Sequence, residues 1–149
     1  MAQDAQQNVV EALTHLLADS YTLYLKTHNY HWNVKGPMFN TLHTLFETQY
    51  TELALAVDEI AERIRALNAP APGSYQAFST LTAIKEATSV PPATAMIATL
   101  AADQETVVEA ARRVVAVSEA AGDAATADLG VRRIDIHQKN AWMLRSHLE

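Results

Sequence analysis

Two histidines and three carboxylates stand at positions suited to metal coordination: His31, then His43, Glu47, Asp58 and Glu62. Imidazole nitrogen together with carboxylate oxygen suits iron, manganese or zinc. On a helix turning ~100° per residue, with His43 at zero, Glu47 falls at roughly 40°, Asp58 at roughly 60° and Glu62 at roughly 100°. The apolar Leu42, Phe46, Leu53, Val57 and Ile64 fall at roughly 260° to 320° on the same wheel. The four polar residues therefore form their own stripe beside the core-facing one. A lone glutamate on a long helix is ordinarily part of a solvated face, and a lone inward histidine is ordinarily a satisfied core residue. Five such groups in one consistent geometry point to coordination instead. Asp58 and Glu62, at i and i+4, repel by about 0.2–0.5 kcal/mol in an isolated helix, a cost that calls for compensation.

His43 and Asp58 are fifteen residues apart, roughly 22 Å along a straight helix, so within one chain they cannot hold the same ion. Two half-sites follow. If this helix packs antiparallel on its own copy across a twofold axis near Glu52 and Leu53, the 43/47 end of one subunit meets the 58/62 end of the other. A twofold interface then makes two equivalent sites. Each takes His31, His43 and Glu47 from one chain and Asp58 and Glu62 from its partner.

The elements that must position these residues are helical. Val10, Leu13, Leu17, Tyr21, Tyr24 and Tyr30/His31 recur at three- and four-residue steps, which predicts a first helix over 4–33. His31 points where Leu13 points. Lys35-Gly36-Pro37 breaks the pattern and predicts a tight hairpin that sets His31 opposite residues 41–43. The same period from Phe39 to Leu67 predicts a second helix over 39–67. Residues 68–91 carry Pro70, Pro72, Gly73 and Pro91; they cannot be one helix, although Thr80 to Ala87 reads as a short one. Met96, Leu100, Val107, Ala111, Val114 and Ser118 mark a third long helix from a Pro92 start. Gly122 ends it, Asp123 caps the next, and Ala127 to Leu148 form the fourth. Short, long and short connections make an all-α four-helix bundle, one domain over 1–149, in which the long crossover lets the second and third long helices run parallel.

Composition bounds the rest. In 149 residues there is no cysteine, which excludes a disulfide framework, a thiol nucleophile and a thiolate zinc site. Eleven Lys and Arg against 17 Asp and Glu favour cations over phosphate backbones as partners. No basic-then-apolar leader and no stretch of ~18 apolar residues is present, so a soluble cytoplasmic protein is expected, with no membrane partner. Hydrolase motifs are missing: there is no Gly-x-Ser-x-Gly, P-loop or His-Glu-x-x-His. A di-iron oxygenase centred in one bundle would need Glu-x-x-His on two helices, and Glu62 is followed at that spacing by Arg65.

The segment His31-Trp32-Asn33-Val34-Lys35-Gly36-Pro37-Met38-Phe39, with Leu42-His43-Thr44-Leu45-Phe46 and Asp58-Glu59-Ile60-Ala61-Glu62-Arg63-Ile64, closely resembles the Dps family of miniferritins. The likeness runs over essentially the whole chain, and Asp123 to Trp142 is similar to the family's last helix. The resemblance implies a ferritin-like fold and a hollow dodecamer built from twofold dimers. It also implies ferroxidase centres between subunits, each oxidising two iron ions, with hydrogen peroxide preferred to oxygen and ferric mineral stored inside. By that match His31, His43, Asp58 and Glu62 are the catalytic metal ligands, and zinc is a possible substitute for iron. Glu47 stands where aspartate is common, and its extra methylene suggests contact through water. His28 is a candidate partner behind the ligands or an additional ligand. Trp32 is a candidate for intercepting stray oxidising equivalents, or else packs at an interface; Trp142 and the five tyrosines read as packing.

Acidic residues near the start of the family's last helix line threefold pores, and Asp123 and Asp128 match them; a helix cap and a dipole-favoured carboxylate are equally good readings of the two. Family members often bind DNA through a lysine-rich extension. None is present in this sequence, so direct DNA binding is not expected, association with the nucleoid stays open, and DNA is protected by removing iron and peroxide. The alternatives are a non-catalytic metal-binding cage or scaffold, or a DNA-compacting protein.

Overall fold

The first helix, α1 (Gln3–Asn33), and the second, α2 (Phe39–Ala66), form the expected hairpin. Val34 N–H closes α1 on the Tyr30 carbonyl at 2.9 Å, and Gly36 takes a φ of +106° that a side chain would resist. The computed structural model describes residues 2–149, and three further helices complete it: α3 (Tyr75–Leu81), α4 (Ala93–Ala120) and α5 (Ala124–Arg145), ending in a 3₁₀ turn, Ser146–Leu148. No strand occurs among the described residues.

Tertiary bonds give the direction of each helix. Gln6 on α1 donates to the carbonyl of Leu67 just past α2, so those two helices are antiparallel. Lys26 pairs with Asp103 at 2.8 Å and Arg113 with Glu11 at 3.1 Å, so α4 is antiparallel to α1 and therefore parallel to α2. Gly122, at φ +72°, ends α4, and Asp123 caps α5 by accepting from Thr126 N–H at 3.1 Å. Apolar stripes close on one core that includes Leu13, Phe46, Ile60, Leu100, Val107 and Leu144, all fully buried.

The crossover differs from expectation. Its short helix spans Tyr75–Leu81, not Thr80 to Ala87. Ser74 starts it by accepting from Ala77 N–H at 3.2 Å. Residues of α1 stop it: Asp19 Oδ1 accepts from the Thr82 hydroxyl at 2.7 Å and from Ala83 N–H at 2.8 Å. Lys26 Nζ donates to the Lys85 carbonyl at 2.7 Å, holding the next residues extended against α1. Backbone groups that a helix over 80–87 would need are thus taken by side chains some sixty residues away in sequence.

At the middle of α2, the level expected for the twofold axis, Leu53 is fully buried as its apolar stripe predicts, and Glu52 is bonded to Arg133 of the same chain. At that level the exposed residues in line with the polar stripe are Thr51 and Ala54.

His137, fully buried on α5, accepts from Arg133 at Nε2 and donates from Nδ1 to Gln104. Burial, then the Arg133 charge, holds its pKa well below the ordinary 6.5. The unfolded chain binds a proton below that ordinary value and the folded chain does not. Stability from this group is therefore full above pH ~6.5 and falls as pH drops, by at most ~1.4 kcal/mol per unit. Urea midpoints measured across pH 5–7 are expected to fall toward acid, and His137→Gln to flatten that slope while lowering the plateau.

Candidate metal centre

The end of α1 and the start of α2 bring His31, His43 and Glu47 together. Their ligand atoms lie within 4.8 Å of one another, the only such group of three or more found among the described residues. The two imidazoles stack with centroids 3.8 Å apart and planes 13° from parallel. Each Nδ1 lies 2.7 Å from the main-chain carbonyl of the other histidine. A carbonyl only accepts, so both Nδ1 atoms carry the proton and both Nε2 lone pairs are free to bind a metal. The hairpin thus fixes the ligand-competent tautomer of both rings by reciprocal bonds, the orienting role that a carbonyl plays behind many metal-bound histidines. His31 is 6% exposed and His43 half-buried, while Glu47 is exposed with Oε1 3.8 Å from His31 Nε2, too far for a hydrogen bond. At that separation Glu47 Oε1 and His31 Nε2 can both reach one ion, each at about 2.0–2.2 Å.

Asp58 and Glu62 stand exposed farther along α2. A hydrogen bond to Asp58, followed by repulsion from its charge, raises the Glu62 pKa above the usual carboxylate value. The one-chain structure does not bring this pair to the histidines, as their separation along the helix requires. Two like carboxylates at i and i+4 with no basic partner destabilise the metal-free helix and attract a cation. Glu62→Gln is expected to raise the thermal midpoint of metal-free protein slightly and to shrink the midpoint shift that Zn(II) produces, measured by calorimetry with and without the metal.

His28 is not part of the ligand cluster. Its ring is held between Trp32, at 3.9 Å, and Tyr50, at 4.2 Å, and its pKa is lowered by burial and then by His31. Trp32 is 59% exposed. Tyr50 was read from sequence only as packing, yet it stands edge-on to His31 at 5.2 Å. Its position seven residues after His43, two helical turns on, was the available signal. Asp123 is buried among its partners: burial alone raises its carboxyl, but bonds from Thr126 and the Arg63 guanidinium outweigh that and hold it below the usual range. Asp128 is exposed and paired with Arg132 at 3.0 Å.

A crossover four-helix bundle carrying an outward-facing nitrogen and carboxylate cluster defines the class: the model of the ferritin-like domain matches residues 10–149. The chain belongs to the Dps proteins within it. It is 36% identical to a DNA protection during starvation protein of Bacillus anthracis, over 95% of this chain and 97% of that one. It is 41% identical to a low temperature-induced protein of Nostoc, over 100% of this chain and 84% of that one. The crystal structure of a Dps protein from Vibrio cholerae, described as a member of a superfamily of ferritin-like diiron-carboxylate proteins, superposes with a TM-score of 0.95. That match has 32% identity and covers 100% of this chain and 94% of that one.

Proposed function

We propose that this protein is an iron-storing ferroxidase that oxidises Fe(II) with hydrogen peroxide and keeps the ferric product inside a dodecameric shell. The observation that carries the reading is the locked pair of imidazoles, with both Nε2 lone pairs open, at one end of α2, and an uncompensated carboxylate pair at the other end of the same face. Antiparallel pairing of two α2 helices joins these ends into two complete centres.

At each centre His31 and His43 bind one Fe(II) through Nε2, and Asp58 and Glu62 of the partner subunit bridge toward a second and neutralise its charge. Glu47 closes the first iron from solvent, directly or through water. Each Fe(II) gives one electron to the same peroxide, whose O–O bond breaks to give, with two protons, two waters. Both electrons reach one acceptor, so no hydroxyl radical is released. Zn(II) fits the same donors and is expected to inhibit. Protection of DNA then follows from removing iron and peroxide in the cytoplasm, without contact between the acidic protein and the nucleic acid.

Anaerobic loading of metal-free protein with Fe(II), followed by peroxide titration under ferric absorbance, tests this. The expected endpoint is about one peroxide per two irons. Oxidation at the rate of iron in buffer alone would instead leave a non-catalytic metal-binding cage.

A further inference from the structure

Inside the bundle, away from the outward cluster, a guanidinium lies between metal-type ligands of α2 and α5, one of them oriented by α4. Arg133 on α5 is 2% exposed and donates to both Glu52 oxygens, at 2.5 and 3.0 Å. Its Nη2 also lies 2.9 Å from His137 Nε2. A guanidinium only donates, so His137 Nε2 is the acceptor and its lone pair points at Arg133. The imidazole proton then sits on Nδ1, bonded to Gln104 Oε1 at 2.6 Å. Gln49, one turn before Glu52 on the same face of α2, is 2% exposed, and neither its Oε1 nor its Nε2 has a partner. Gln104 Nε2 and Arg133 Nε are likewise buried and unpartnered.

The two oxygens of one carboxylate and an oriented imidazole lone pair, converging on one guanidinium, form a donor set for a borderline divalent ion such as Co(II), Zn(II) or Fe(II). Four-helix carboxylate proteins hold such ions in the bundle core, on side chains from facing helices. We propose that this layer is a core divalent-cation site in which the Arg133 guanidinium is the resident cation, and that removing it lets Glu52 and His137 bind a divalent metal. With Arg133 present, its charge excludes a second cation from the same donors. The Glu52 side chain keeps 37% exposure and gives an ion a way in. In the native protein Arg133 thereby keeps iron out of the core and leaves it to the outward half-sites. Only the identity of the excluded ion rests on the function proposed above; the site itself does not.

Co(II) titration of metal-free, assembled protein by calorimetry and visible absorption tests the proposal. The outward half-sites are unaltered in every variant, so their contribution cancels in the comparison. Arg133→Ala is expected to bind about one more Co(II) per chain than wild type. Arg133→Ala/His137→Ala loses the extra ion, Arg133→Lys does not acquire it, and methylguanidinium competes for it in Arg133→Ala. If Arg133→Ala folds only when Co(II) is added, that is the same result in another form. If it does not fold at all, Arg133→Gln is carried through the same titration. A folded Arg133 variant with the wild-type count, or an extra ion that survives loss of His137, overturns the proposal. Iron oxidation by wild type is measured separately, so absence of ferroxidase activity leaves the Co(II) result standing.

Discussion

Co-refolding His31→Ala/His43→Ala chains with Asp58→Ala/Glu62→Ala chains is expected to restore about a quarter of wild-type Fe(II) oxidation, although each variant alone is inactive. Each double variant removes half of every centre. Loss of orienting groups behind metal ligands already costs about 10–100-fold in affinity or activity, so loss of two ligands is expected to cost at least ~100-fold. In a mixed dimer one centre receives the intact histidines of one chain and the intact carboxylates of the other, while the second centre receives neither. With random pairing about half the dimers are mixed and half the centres in each are whole, hence the quarter. A centre contained within a single chain predicts no recovery on mixing. Stopped-flow ferric absorbance on the variants and on their mixture reads the result, and sedimentation confirms equal assembly. The distance along α2 makes this outcome specific: one ion cannot join residues fifteen positions apart on a straight helix.

The largest effect on stability is expected at Lys26. Its side chain is 5% exposed, ion-paired with Asp103 at 2.8 Å and donating to the Lys85 carbonyl at 2.7 Å, so it ties α1 to α4 and to the crossover. Burial already raises the Asp103 carboxyl above its usual range, and Lys26 opposes that rise. Lys26→Met leaves a buried carboxylate without its countercharge and a carbonyl without its donor. Breaking one partner of a buried pair costs about 3–5 kcal/mol, and the lower end applies because the Asp103 side chain retains 13% exposure. Removing both charges, in Lys26→Met/Asp103→Leu, is expected to recover most of the loss, since the pair's worth is chiefly the penalty of separating it. Urea unfolding of the two variants and wild type measures both numbers. A loss below about 1 kcal/mol in Lys26→Met would mean that water replaces the ammonium freely.

Long-period features of this protein are written in neighbouring residues. Apolar spacing, Gly36, Gly122 and the Asp123 cap place the four long helices within a few residues of where they lie, because period and capping are local physics. The same locality sets His43, Glu47, Asp58 and Glu62 on one face and puts the 43/47 pair too far from the 58/62 pair for one ion to join them within a chain. The short crossover helix was misplaced because its end is decided by Asp19 capturing Ala83 N–H, a contact between residues 64 positions apart. The wheel puts Leu53 on the core-facing stripe, where it is fully buried, whereas the bond that turns Glu52 to Arg133 is decided by packing between α2 and α5. The reciprocal bonds that leave both histidine Nε2 atoms open, the seat of Tyr50 against His31 and the guanidinium enclosed by Glu52 and His137 are likewise decided by folding. Each depends on atoms of different helices meeting at hydrogen-bond or stacking distance. The sequence alone determined the bundle and the chemistry of its polar stripe; the tertiary structure decided which tautomers, partners and buried charges that chemistry works with, since those follow from distances no local period encodes.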